Sequence, residues 1–408
     1  MPRCVRDESG GLYTTLGRAQ KNDIDASEGI DLPFAPEVGG ATPFGGGFAV
    51  GVLEKAKDGL AAHLVVLSSS LGAAKTVDLG KVHGDVLPPV PVVASPGLVV
   101  ALPDGAPNGT LVRLARVDDP EGTGAVKFGA EISQAKDDSD AFGIEVGTKR
   151  GVVVWDEWSK EAGHSVIKAV TFPKDDIAKT SSDFVISGAH DDAESPLVVK
   201  RPGGFWVAWI ANQKREPDKK ERDLATDTTD AVDLGPRTLS LVPLDDEGRP
   251  AGAPLSVSRQ GGHVLGFDLS PARDGAALVA WRDDKTAPGA TGGAAHVAMV
   301  SPGGSIDARA VTEDDPSVDV PVLVADDAPP AGAPAAWLGV ANDSDVARLS
   351  ALDAAGHSLD ELSPEAAFGT GTPLAAHAQR VVIAKPSGHR VELEVFTCGR
   401  ANAVPAAP

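Results

Sequence analysis

The feature that most constrains the fold of this chain is a short strand-like segment that recurs seven times. Five copies start at a glycine, the sixth at Ala333 and the seventh at Gln379, and each continues through four to six apolar residues and often ends in tryptophan. Successive copies are 50, 53, 54, 72, 56 and 47 residues apart. A period near 50 residues indicates radial repetition of a four-stranded unit. The last large positions of the copies are Val52, Leu102, Trp155, Trp209, Trp281, Trp337 and Ala384.

Each copy lies among three other segments of strand character. A short apolar segment precedes it, a second strand follows a polar turn, and a short outer strand follows an acidic turn that contains glycine. The recurring segment is apolar almost throughout, as expected of a strand that is buried on both faces. The pattern predicts an all-β chain forming one seven-bladed β-propeller domain over residues 1–408. Two β-sandwich domains are the alternative, although they would not explain seven units of similar length.

The two ends of the chain suggest how the ring closes. The seventh unit ends after Phe396, without room for an ordinary fourth strand, so we expect an N-terminal segment near residues 11–17 to complete the last blade. The only two cysteines, Cys4 and Cys398, would then lie side by side. A disulfide between them predicts an oxidising compartment and therefore an exported protein. The N-terminus lacks the apolar core of a signal peptide, so we expect a mature chain. Residues 400–408 are expected to form a flexible tail.

The charge of the chain limits its partners. A net charge of −21 repels nucleic acid and anionic lipid, and the chain has no apolar run long enough to span a membrane as a helix. A protein or a neutral glycan is the expected partner of a monomer or of a member of a surface assembly. No cofactor is expected. Calcium is conceivable at the acidic pairs, but no calcium-binding loop motif supports it.

The repeat resembles those of the large class of bacterial seven-bladed β-propellers. The resemblance covers nearly the whole chain and rests on the Gly-to-Trp strand, while the repeat motifs of WD40, sialidase and kelch propellers are missing. The resemblance implies a propeller scaffold. Because such scaffolds serve enzymes and binding proteins alike, it leaves the function open.

The residues that could carry chemistry form no motif. The nine histidines are scattered, and none belongs to a zinc-binding pattern, so no metal site is predicted. Glu145, Asp268 and Asp319 lie on or near predicted inner strands and could face a central channel, where paired carboxylates would suit glycoside cleavage. Trp155, Trp209, Trp281 and Trp337 share one repeat position and are expected in the core. Trp158 and Trp206 lie out of register and are expected to pack in the core or at the rim.

The 72-residue interval marks an insertion at about residues 212–236 in the fourth unit. Its charged composition cannot build a core, so it reads either as an interaction loop or as a disordered segment. The cationic side chains through which it would contact a partner are Lys214, Arg215, Lys219, Lys220 and Arg222.

Two functions remain open at this stage. The first is a non-catalytic binding or scaffold propeller of the bacterial cell envelope or exterior, engaging a protein or glycan partner. The alternative is a polysaccharide-active propeller enzyme, a glycoside hydrolase or a lyase, that uses channel-facing carboxylates. No catalytic residue is assigned from the sequence alone.

Overall fold

The structure is a computed structural model, and it describes most of the chain. The described residues are 2–6, 11–14, 17–18, 36–56, 59–70, 74–106, 109–132, 141–212, 236–259, 261–284, 292–312, 315, 317–329, 334–341, 346–360, 365–367, 371–387 and 390–400. Their regular elements are strands, apart from one 3-10 turn at Arg273–Gly275. Within these residues, no helix has the length and apolar character needed to cross a membrane.

The strands form antiparallel sheets that follow one another along the chain. The N-terminal strands are β1 (Pro2–Arg6), β2 (Gly11–Thr14) and β3 (Gly17–Arg18). The first four-stranded sheet holds β4 (Glu37–Phe44), β5 (Gly47–Ala56), β6 (Gly59–Leu67) and β7 (Ala74–Val82). The second holds β8 (Val90–Ala94), β9 (Gly97–Ala106), β10 (Gly109–Val117) and β11 (Val126–Glu131). The third holds β12 (Phe142–Val146), β13 (Arg150–Ser159), β14 (His164–Pro173) and β15 (Phe184–Val185).

The rest of the chain continues the same order. An eight-stranded sheet holds β16 (Asp192–Arg201), β17 (Gly204–Asn212), β18 (Arg237–Asp245), β19 (Leu255–Ser256), β20 (His263–Pro271), β21 (Ala277–Asp284), β22 (Gly293–Val300) and β23 (Ile306–Ala310). A five-stranded sheet holds β24 (Val322–Ala325), β25 (Ala336–Val340), β26 (Val346–Leu352), β27 (Ser358–Asp360) and β28 (Glu365–Ala367). The last sheet holds β29 (Leu374–His377), β30 (Arg380–Ser387) and β31 (Arg390–Arg400), together with β1, β2 and β3.

This arrangement is a β-propeller, as the sequence predicts, but the number of separate blades differs from the prediction. Strand pairing gives five separate blades rather than seven. The remaining sheet has eight strands because β18 and β20 pair in parallel at a single position, Arg237 with His263. That one residue pair merges two meanders that the repeat spacing counts as distinct units.

The Gly-to-Trp repeat forms the second strand of each meander, and its glycine has a steric cause. A Cβ atom on Gly47 would lie 2.0 Å from the carbonyl oxygen of Leu67, and one on Gly97 would lie 2.1 Å from that of Val117. The repeat therefore starts where the end of the third strand passes too close for any side chain. The apolar residues that follow are buried along most of their length, as in β9 and β17.

Apolar side chains fill the space between neighbouring sheets. Trp155, Trp209, Trp281 and Trp337 are all at most 5% exposed, which confirms their predicted core position. The last sheet packs against the first in the same way, because Val382 and Leu393 share a buried cluster with Phe48 and Val65. Clusters of this kind tie each sheet to the one before it and to the one after it.

The N-terminal strands pair with the last long strand. Residues 2–6 of β1 lie antiparallel to residues 396–400 of β31, and residues 11–13 of β2 lie antiparallel to residues 391–393. Strand β30 occupies the other edge of β31. The N-terminal segment thus lies at the outer edge of the last sheet.

Candidate functional site

At one end of the sheets, the ends of repeat strands contact the segments that lead into inner strands. In each antiparallel meander, the hairpin between the second and third strands lies at the same end as the connection that leads into the inner strand. We call this end the hairpin face. It includes the C-terminal ends of β5, β9, β13, β17 and β21, and therefore Asn212 at the end of β17.

Asp104, near the end of β9, is a buried carboxylate that holds a histidine. Its side chain is 7% exposed. Oδ1 accepts the backbone N–H of His83 at 2.8 Å and lies 3.0 Å from Nδ1 of the His83 ring. Because an ionised carboxylate only accepts hydrogen bonds, this contact puts the imidazole proton on Nδ1. Nε2 of His83 then carries the lone pair.

The His83 ring is open to solvent on a fixed backbone. The side chain is 75% exposed. Gly105 donates its backbone N–H to the carbonyl oxygen of His83 at 2.8 Å, and a Cβ on Gly105 would lie 2.6 Å from that oxygen. Gly84 follows with φ +75, a conformation that favours glycine. The two glycines let the connection before β8 approach β9 closely enough for Asp104 to hold the ring.

A cation and an aromatic ring lie beside this pair. Nη2 of Arg113 donates to Oδ2 of Asp104 at 3.3 Å and to Glu131 Oε1 at 3.2 Å. The guanidinium carbon lies 5.7 Å from the centroid of the Phe128 ring, whose residue is 52% exposed. We call His83, Asp104, Arg113, Glu131 and Phe128 the His83 site. It combines a proton acceptor, a hydrogen-bond donor with a positive charge, and an exposed apolar ring.

The carboxylates expected near the channel lie on inner strands and bond to the next unit. Asp268 on β20 accepts the N–H of Leu269 at 2.8 Å and that of Leu323, on β24, at 2.6 Å. Glu145 on β12 accepts the N–H groups of Val146 and of Lys200 on β16. Each carboxylate therefore ties its own inner strand to the following one. Asp319 precedes β24 and accepts the N–H of Val320.

Burial changes the acidity of both inner-strand carboxyls. It raises the pKa of Asp268 from 3.8 to about 6, against the opposing effect of its two backbone hydrogen bonds. It also raises the pKa of Glu145, although Lys200 counteracts it. Solvent reaches part of both side chains. Asp268 can therefore exchange a proton near neutral pH, whereas its two hydrogen bonds fix its orientation toward backbone groups.

A second histidine occupies a related position at the start of β20. His263 donates its backbone N–H to Asp283 Oδ1 at 2.8 Å. Its ring is half-buried, and both this burial and the nearby Arg237 lower the pKa of His263 below its usual value of 6.5. Arg237 itself forms an ion pair with Glu194 at the base of the insertion.

Several other aspartates and histidines serve local structure, namely Asp192, Asp326, His164 and His296. Asp192 accepts the N–H of Ser165, and Asp326 accepts those of Ala378 and Gln379. His164 bonds to two carbonyl oxygens, and the His296 ring stacks on Trp281. Among the described side chains, no group of three or more His, Cys, Asp or Glu could hold a metal ion.

The two tryptophans outside the repeat register have different environments. Trp206 is fully buried and donates its indole N–H to the carbonyl oxygen of Gly275 at 2.9 Å. Trp158, at the end of β13, is 48% exposed on the hairpin face. An exposed indole of this kind offers an apolar surface to a ligand.

Two sequence predictions fall partly or wholly outside the described residues. Lys214, Arg215, Lys219, Lys220 and Arg222 lie in residues 213–235, and the expected tail lies in residues 401–408. Cys4 and Cys398 lie directly opposite each other in the register of β1 and β31.

Comparison with known proteins supports the fold. No protein-family model matches the chain, and no curated protein matches it. Among solved structures, polysaccharide lyase Uly1 matches with a TM-score of 0.53 and 7% identity over 97% of this chain and 98% of that one. The β-propeller domain of the Trilobed protease from Pyrococcus furiosus, which has an open velcro topology, matches with a TM-score of 0.51 and 11% identity over 90% and 96%.

A further match is to the acylaminoacyl peptidase of Pyrococcus horikoshii. Its TM-score is 0.52 with 10% identity, over 90% of this chain and 52% of that one. At such identities these likenesses establish the propeller fold alone.

Sequence reasoning missed the His83 site. His83, Asp104 and Arg113 belong to three different segments, and no motif joins them. The sequence does carry one weak signal, because both His83 and Asp104 are followed directly by glycine. Such His-Gly and Asp-Gly pairs mark tight turns but do not indicate which turns meet.

Proposed function

We propose that this propeller binds a polysaccharide on its hairpin face and cleaves it with His83 as the proton acceptor. The observation that carries the proposal is the exposed His83 ring, held through Nδ1 by the buried carboxylate of Asp104. This arrangement fixes the tautomer and stabilises the imidazolium that forms when Nε2 takes a proton. The function is thus the enzymatic alternative of the sequence analysis, with a histidine and not only carboxylates in the acid–base role.

The rest of the His83 site suits a sugar. Phe128 offers an exposed ring against which the apolar face of a sugar can pack, and Arg113 retains N–H donors beyond those used for Asp104 and Glu131. The chain's net charge of −21 opposes a densely anionic polymer. A neutral or sparsely charged polysaccharide is therefore the proposed substrate class.

The likeness to polysaccharide lyase Uly1 supports this proposal without carrying it. The two chains correspond over 97% of this chain and 98% of that one, and that protein is a polysaccharide lyase. The proposed cationic contacts of Lys214, Arg215, Lys219, Lys220 and Arg222 would bring a partner to the same face, since the insertion connects β17 and β18 there.

We further propose that the ring has seven blades and that the protein is exported. Counting the eight-stranded sheet as two blades gives seven units around one ring. Strands β1 and β2 then complete the last blade at its outer edge. Export suits a protein that acts on polysaccharides outside the cell.

The test is product analysis on a panel of neutral and uronate-containing polysaccharides. We expect the wild type to release oligosaccharides from at least one neutral member. Elimination needs the acidic C–H beside a uronate carboxyl, so unsaturated products would come only from the uronate-containing members. From a neutral member, new reducing ends would indicate hydrolysis, in which His83 takes a proton from the attacking water and the leaving oxygen gains one from solvent. His83→Gln should lower kcat by about 10²–10⁴-fold. Asp307→Asn, which changes an exposed carboxylate on outer strand β23, is the matched control and should retain activity.

Two outcomes would overturn the proposal. Full activity in His83→Gln would remove His83 from the chemistry. Glycan binding by the wild type without any product from the panel would instead favour the non-catalytic binding function.

A further inference from the structure

The two cysteines of the chain meet at the joint between its ends. Cys4 lies opposite Cys398 in the antiparallel pairing of β1 and β31, with Arg3 opposite Gly399 and Val5 opposite Thr397 on either side. The sequence contains no other cysteine. Sheet pairing, rather than the spacing of residues along the chain, therefore brings the two positions together.

The geometry of antiparallel strands allows a disulfide at this position. Directly opposite residues have Cα atoms about 4.5–5.5 Å apart. Disulfides join residues whose Cα atoms are about 4.4–6.8 Å apart. The backbone can therefore carry the bond without moving either strand.

The pairing of β1 with β31 lies where a covalent bond would hold the ring together. Strand β31 pairs with β30 on one edge and with β1 and β2 on the other. The last sheet in turn packs against the first through a buried apolar cluster. A cross-link from β1 to β31 thus fastens the outermost strand of the sheet that joins the last unit to the first.

We propose that Cys4 and Cys398 form a disulfide that acts as a covalent, redox-sensitive latch on the ring. Its formation breaks two S–H bonds and makes one S–S bond. The two protons and two electrons pass to a disulfide oxidant, which becomes a dithiol. When the bond is reduced, only backbone pairing and packing hold β1 against β31. The proposal does not depend on the polysaccharide function and concerns residues outside the His83 site.

The first test is intact mass after thiol alkylation, with and without prior reduction. We expect two alkyl groups per chain only after reduction, and a monomer on a non-reducing gel. Alkylation of both thiols before reduction, in protein prepared under oxidising conditions, would overturn the latch. Disulfide-linked dimers would overturn it as well.

The second test measures what the bond does. Reduction should lower the Tm by about 2–5 °C and speed proteolysis near the N-terminus. The same fall in Tm is expected in Cys4→Ser, in Cys398→Ser and in the double variant, because each removes the same bond. The Tm of these variants should no longer respond to reductant. Losses that add in the double variant would show that the cysteines act separately.

A register control uses the neighbouring pair. In a Cys4→Ser/Cys398→Ser background, Val5→Cys together with Thr397→Cys should restore the cross-link, since these residues are also opposite each other. The variant Cys4→Ser/Val5→Cys places the new cysteine one position away from the residue opposite Cys398, on the other face of the sheet. This variant should not form the cross-link. The reverse result would overturn the strand register on which the latch rests.

Discussion

The second sheet and the eight-stranded sheet contain the same contact between an aspartate and a histidine, but the two histidine rings have different surroundings. In both, an aspartate lies two residues after the last large residue of the repeat, at Asp104 after Leu102 and at Asp283 after Trp281. Each aspartate accepts the backbone N–H of a histidine at 2.8 Å, His83 in one case and His263 in the other. The shared contact joins the end of the repeat strand to the segment that leads into an inner strand.

The two histidine rings differ completely in their surroundings. His83 lies in solvent with Nδ1 on Asp104, whereas the ring of His263 is half-buried near Arg237, which helps to lower its pKa. The backbone contact is therefore shared by these two units. The position of the ring, which the neighbouring residues decide, is what makes one of the two a candidate for chemistry.

The largest expected difference between the two regions is the loss of activity when Asp104 or Asp283 is replaced by asparagine. Asp104→Asn puts an amide N–H group against donors that need an acceptor and removes the charge that stabilises an imidazolium. We expect kcat/KM on the responsive polysaccharide to fall by about 10²–10⁴-fold. Asp283→Asn should change it by less than about threefold, because Asp283 lies outside the His83 site.

Both substitutions weaken one contact to a histidine backbone N–H, because an amide oxygen replaces a charged carboxylate oxygen, so unfolding in urea provides the control. Each variant should lose about 1–2 kcal/mol of unfolding free energy. Equal losses of activity in the two variants would show that the effect of Asp104→Asn comes from stability and not from the ring it holds.

A second prediction concerns Asp268, on the same strand as His263. Its pKa in the folded protein, about 6, lies above the ordinary value of 3.8, so folding favours its protonated form. The stability from this group is present below about pH 4 and is lost as the pH rises through about 6. Between about pH 4.5 and pH 7.5, the wild type should therefore lose about 2 kcal/mol of unfolding free energy relative to Asp268→Asn.

Urea unfolding at several pH values measures this difference, and Asp307→Asn serves as the exposed control. A pH-independent difference between the wild type and Asp268→Asn would contradict the burial of the carboxyl on β20.

The smallest effect is expected at His263. Because its pKa is lowered in the folded state, the unfolded chain binds the proton more readily. The wild type should lose stability as the pH falls through about 6.5. His263→Gln should remove this acid sensitivity, as measured by the Tm at about pH 5 and pH 7.5. Equal acid sensitivity in the wild type and in His263→Gln would contradict the half-buried position of the His263 ring.

Much of the fold could be predicted because the repeat records local steric and burial requirements. Gly47 and Gly97 lie where a carbonyl oxygen leaves no room for Cβ, and the apolar residues after them are buried on both faces. Burial recurs in the second strand of each unit and the close approach in several of them, so together they appear as a period in the sequence. The number of separate sheets could not be read in this way, because one residue pair, Arg237 and His263, merges two units.

The candidate site was far less predictable. Glu145 and Asp268 were correctly expected on inner strands, because strand order follows from the repeat. Their bonds to Lys200 and Leu323 depend on how adjacent units pack, which no period encodes. The Trp158 indole lies out of register and is exposed, while the equally irregular Trp206 is buried, and the sequence offers no means of separating them.

By itself, the sequence determined that the chain is all-β, that its Gly-to-Trp strands are buried and that four of its tryptophans belong to the core. Burial and steric exclusion act on each residue through its nearest neighbours, so they leave a pattern along the chain. The tertiary structure alone decided that Asp104 holds His83, with Arg113 beside them, and it fixed the register in which Cys4 opposes Cys398. These contacts join segments that only sheet pairing and the packing of successive units bring together, and such long-range geometry leaves no period to read.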